Sequence, residues 1–154
     1  MIKLRRVLTV LAAVVAIIGA TGAPALAVDD GFYTTSATPS NCPASSWGPN
    51  YPAGYLYFVD YGEGDLSNPD KNDDYLLIKD TCADGDGVVA FAWHKGVKKG
   101  PKYHGKGYDE YVVWDPFGNV AAGERIGIQV CSQNGSGGTP YDCGSIIYRT
   151  SQDG

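Results

Sequence analysis

Four cysteines, Cys42, Cys82, Cys131 and Cys143, constrain this chain more than any other feature, because their chemistry depends on where the chain goes. The N-terminus answers that. Lys3, Arg5 and Arg6 precede an almost wholly apolar run over residues 7–20, and Ala25-Leu26-Ala27 offers a small-x-small cleavage site behind Pro24. That pattern predicts a secretory signal peptide over residues 1–27. The apolar run falls short of the roughly 20 residues a span needs, so no stable membrane insertion is expected. An even cysteine count in an exported chain predicts two disulfides, with three pairings to choose from. Cys131–Cys143 is favoured, because the Gly-rich stretch 132–142 lets the chain turn back; Cys42–Cys82 is then left to tie the N-terminal arm to the body. No Cys-x-x-Cys pair is present to suggest a metal.

Cleavage leaves 127 of the 154 residues, enough for one domain. It removes three of the 12 Lys and Arg and none of the 17 Asp and Glu, so the exported chain has a formal charge of −8. Such acidity argues against nucleic-acid or anionic-membrane binding.

The remaining sequence reads as short strands between turn formers: 55–60, 75–79, 88–94, 108–114, 125–131 and 145–149. Residues 125–131 alternate cleanly, with Ile126, Ile128 and Val130 on one face. No convincing amphipathic helix appears in the exported part. The expected fold is all-β, a small antiparallel β-sandwich or small barrel with two disulfides. Residues 28–54 lack periodicity and are expected to form an irregular arm before a β-sandwich domain at 55–154.

Several clusters are candidates for function. The arm carries Phe32, Tyr33, Trp47 and Tyr51, aromatics that cover a small core or dock a partner protein. Residues 95–107 form a predicted Gly-rich loop with five of the nine remaining basic residues. Lys98, Lys99, Lys102 and Lys106 are its candidate anion-binding residues, although charge runs are more often solvated faces. His94, His104, Glu110 and Arg125 hold the residue types of a secreted hydrolase or nuclease, without a spacing that marks one site. Asp70-x-Asn72-x-Asp74 opens like a calcium loop, but Tyr75 and Thr81 stand where an EF-hand needs Gly and Glu. An irregular calcium site is the most that loop suggests, and no metal ligand or cofactor is assigned. Tyr55 and Tyr57 share a strand face suited to stacking on sugars, whereas Tyr111 and Trp93 read as buried.

Certain segments are familiar together. The Ala25-Leu26-Ala27 ending, Gly87-Val88-Val89-Ala90-Phe91 after an Asp-Gly-Asp turn, Trp114-Asp115-Pro116-Phe117-Gly118, and Val130-Cys131 closing onto Cys143 resemble small secreted two-disulfide β-sandwich proteins of actinomycetes. Most of these are uncharacterised. The set includes the adaptor subunits of umbrella toxin particles, which join a lectin-like subunit to a large toxin-bearing one. The resemblance covers most of residues 84–149, and its motifs are structural. It implies a non-enzymatic adaptor role, with another secreted protein as partner and the arm 28–54 inserting into it. A small hydrolase or nuclease, a carbohydrate or wall-polymer binder, and a protease inhibitor presenting loop 132–142 are the alternatives.

Overall fold

The computed structural model describes residues 31–37, 42, 51–60 and 73–152. The expected signal peptide, Trp47 and most of the acidic loop lie outside them. The described chain is eight strands and no helix: β1 (Phe32–Thr35), β2 (Gly54–Val59), β3 (Tyr75–Asp80), β4 (Gly87–His94), β5 (Val97–His104), β6 (Tyr111–Trp114), β7 (Arg125–Gln133) and β8 (Ile147–Thr150). They form two antiparallel four-stranded sheets, ordered β1-β2-β3-β6 and β5-β4-β7-β8. The sandwich reading holds.

Alternation builds the core. Leu56 and Phe58 of β2 and Leu76 and Ile78 of β3 point inward from the first sheet. Val88, Ala90 and Ala92 of β4 and Ile126, Ile128 and Val130 of β7 meet them from the second. Each such side chain leaves water completely or nearly so, which stabilises the fold by about 1.5–3 kcal/mol for a large aliphatic. Phe32, Val112, Trp114 and Phe117 close the core's margins.

Carboxylates hold the connections. Asp74 Oδ2 accepts from Val120 N (2.6 Å), and Asp60 Oδ2 accepts from Gln152 N (2.8 Å). Asp86 accepts from Asn134 Nδ2 (2.6 Å) and from the Tyr141 hydroxyl, tying the β3–β4 turn to the loop after β7. Both expected disulfides form, Cys42–Cys82 and Cys131–Cys143. Two disulfides suit an oxidising setting. Among the described residues, no helix is long and apolar enough to cross a membrane.

The structure corrects two segments. Residues 32–35, expected to be irregular, are β1, paired with β2 from Phe32↔Phe58 to Thr35↔Tyr55. Ala37 N donates to Asp142 O (2.9 Å) and Thr34 Oγ1 donates to Ser145 O (3.1 Å), so this segment is also bound to the chain on either side of Cys143. The sandwich therefore begins before residue 55. Residues 97–104, expected to be loop, are β5. Lys95 (φ 52°) and Gly96 (φ 76°) form a two-residue turn with both residues left-handed, the geometry that suits the twist of a tight hairpin. Smaller differences fall at strand ends: β6 starts at Tyr111, and β7 runs two residues past Cys131.

Candidate functional site

Among the described residues, no element covers the outer face of the first sheet, and that face is lined with tyrosine. Strand pairing places side chains in rows across it. One row is Tyr33–Tyr57–Leu77–Val113; the next is Thr35–Tyr55–Lys79–Tyr111. Tyr51 and Pro52, just before β2, wall the end of a groove of about 620 Å³ over the second row. Tyr33 is 58% exposed and Tyr111 49%, far more than folding requires of large rings. Tyr33 and Tyr55 stack with centroids 5.0 Å apart.

Lys79 forms the groove's floor. It is buried, its Nζ lies 2.5 Å from Asp109 Oδ1, and it sits 4.6 Å from the Tyr111 ring centroid. Burial alone would lower its pKa, but the bonds to Asp109 and Tyr111 outweigh that and raise it. Lys79 therefore stays charged. Asp109 reaches it from a left-handed position (φ 68°), pinned by its N–H on Asp80 O (2.9 Å). Burial, and the neighbouring Tyr33 and Tyr111, push the Tyr55 phenol up, so it remains a neutral donor. The groove offers phenol hydroxyls, ring faces and one anchored cation.

The second sheet's outer face differs. Its row across all four strands is Lys98–Trp93–Gly127–Tyr148. Lys98 Nζ lies 4.0 Å from the Phe91 centroid and 5.5 Å from that of Trp93. The Arg125 guanidinium lies 4.1 Å from the Tyr148 centroid. A Cβ at Gly127 would collide with the Tyr148 ring, so glycine lets that ring lie down on the sheet. A cleft of about 290 Å³ opens between Trp93, Lys95, Gly96, Arg125 and Tyr148.

The histidines do not meet. His94 closes β4 beside the turn, whereas His104 pairs with Val88 at the hairpin's other end. Six strand residues separate those levels, roughly 20 Å. His94 Nε2 donates to Glu124 Oε2 (2.5 Å), and Lys95 Nζ lies 2.6 Å from Glu124 Oε1. His104 Nε2 donates to Glu110 O (2.7 Å) and its Nδ1 accepts from Lys106 N (3.3 Å), so both ring nitrogens are engaged in turn-building. Glu110 contributes only its backbone there. Among the described residues, no group of three or more His, Cys, Asp or Glu side chains is placed to hold a metal ion.

The other sequence candidates divide. Tyr33 and Tyr51 line the tyrosine groove. Phe32 does not: it alternates inward and packs on Phe58 at 5.4 Å. The four lysines do not converge. Lys98 lies on the outer face; Lys99 and Lys102 pair with Ala92 and Ala90, whose side chains face inward; Lys106 lies beyond the strand. Tyr111, expected to be buried, is half exposed, and Trp93 is partly exposed on the opposite face. Lys79 went unnoticed. Its only sequence signal was a cation at an outward position of an apolar strand. No family model, curated protein or solved structure matches the chain.

Proposed function

We propose that this chain is exported and acts as a non-enzymatic binding module for another secreted protein, seated on the tyrosine face of the first sheet. This accords with the adaptor role that the sequence resemblance implies. The observation that carries the reading is the concentration of Tyr33, Tyr55, Tyr57 and Tyr111 on one open face above a fixed Lys79. Tyrosine gives large contact area at low entropic cost and a hydroxyl for hydrogen bonds, which is why interfaces are rich in it. Affinity capture from the producer's culture fluid tests the reading. Wild-type protein recovers a stoichiometric secreted partner, and the Tyr33→Ser/Tyr111→Ser variant, equally folded, loses it. Capture unchanged by that double substitution would overturn the assignment.

A second reading has one observation in its favour. The exposed Tyr33 and Tyr111 rings offer surfaces on which sugar faces stack. Retention on insoluble cell-wall glycan, lost in the same variant, would favour that ligand over a protein.

A further inference from the structure

We propose that the cleft on the second sheet is a separate binding site for acidic peptide segments, in which one glutamate or aspartate side chain pairs with Arg125 in the cleft and a further one meets Lys98 beyond Trp93. The inference stands apart from whatever the tyrosine groove takes.

Three observations carry it. First, the cations are placed but not neutralised. In a chain dominated by acids, Lys98 and Arg125 form no ion pair with a carboxylate among the described residues. Each is instead held against an aromatic face. A ring orients a cation without cancelling its charge, so the outer side of each cation stays available to an anion. The neighbouring Lys95 is different, being already paired with Glu124.

Second, the cleft has a flat aromatic wall beside a cation. Gly127 lets the Tyr148 ring lie on the sheet, and the cleft opens between that ring, Trp93 and Arg125. Those walls suit the methylenes of an acidic side chain, and the guanidinium fork of Arg125 matches a carboxylate bidentately.

Third, the covered rings decide between ligand sources. Lys98 caps Phe91 and also lies over Trp93, and Arg125 caps Tyr148, so the cations crowd the ring faces on which a uronate sugar would stack. A carboxylate on a flexible stem needs no ring face and approaches the cations from solvent. A dense polyphosphate would need convergent cations, and the lysines of β5 diverge over two faces.

The probe is a blocked peptide alternating glutamate and serine, titrated calorimetrically into the protein at low and at physiological ionic strength. Its glutamine counterpart, polygalacturonate and polyphosphate are titrated in parallel. The glutamate peptide binds and weakens with salt; the glutamine peptide does not bind. Arg125→Gln weakens binding by about tenfold or more, the loss of one charge-assisted pair. Lys106→Gln, outside the cleft, stays within about twofold. Circular dichroism verifies each variant's fold, and Lys98→Gln decides the matter if Arg125→Gln is misfolded. Equal binding of the two peptides, wild-type affinity in the cleft variants, or tighter binding of polygalacturonate or polyphosphate per charge would overturn the proposal.

Discussion

Two carboxylates pull stability against pH in opposite directions. Glu124 is held at about 2, below its usual 4.5, first by the bond from Lys95 and then by that from His94. Its folded form holds its proton less tightly than the unfolded chain does. Its contribution is therefore present above pH 4.5 and is lost as the pH falls towards 2. Asp80 behaves oppositely. Burial raises it from 3.8 to about 6, with the charges of Asp84 and Asp86 adding and the bond from Cys82 N opposing. Its contribution is present below pH 3.8 and is lost as the pH rises through 6. Thermal melts across pH should show Glu124→Gln flattening the acid limb below 4.5. Asp80→Asn, which keeps an acceptor for Cys82 N, should flatten the slope between 4 and 6. If neither slope changes, these two carboxylates do not set the pH dependence. At the groove, Asp109→Ala should cost about 1–3 kcal/mol by denaturant unfolding, because buried Lys79 loses its carboxylate.

Among the elements, β5 is where the sequence misled, and the reason is physical. Its lysines and glycines look like a loop, yet an edge strand is where lysine is favoured, since charge there blocks pairing with other chains. The clue was Lys95-Gly96 as a two-residue turn between runs that pair. Replacing Lys99 and Lys102 with threonine should leave stability within about 0.5 kcal/mol but promote association, read by light scattering. A monomer as soluble as wild type would show that the edge needs no such protection. Strand β1 escaped notice because four residues, Phe-Tyr-Thr-Thr, are too few to show a period. Without it, Phe32 and Tyr33 could not be told apart, although one packs in the core and the other lies on the surface. The exposure of Tyr111 depends on its pairing with Lys79, a long-range fact no local window holds. What alternation did make legible was the interior: Ile126, Ile128 and Val130 point inward as their spacing demands. Ile128→Ala should cost roughly 2–5 kcal/mol.

At the scale of the whole molecule, the sandwich presents two chemically distinct faces and is cross-linked twice. The Cys42–Cys82 loop spans 40 residues and the Cys131–Cys143 loop 12. By loop-closure entropy, their removal should cost roughly 4 and 3 kcal/mol, so the longer bridge matters somewhat more. Single Cys-pair-to-Ser variants compared by denaturant midpoint give the order. Deleting everything before residue 53 would remove β1 as well as Cys42, exposing the edge of β2. Arm truncation therefore disturbs the fold as well as any interface, and surface substitutions are the cleaner probe of binding.

The tyrosine face is proposed as the surface a partner covers. Tyrosine acetylation footprinting by mass spectrometry, on the protein free and in its captured complex, tests it most directly. Tyr33 and Tyr111, readily modified in the free protein, should become protected in the complex. Equal modification of both tyrosines in the two states would place the interface elsewhere and contradict the claim.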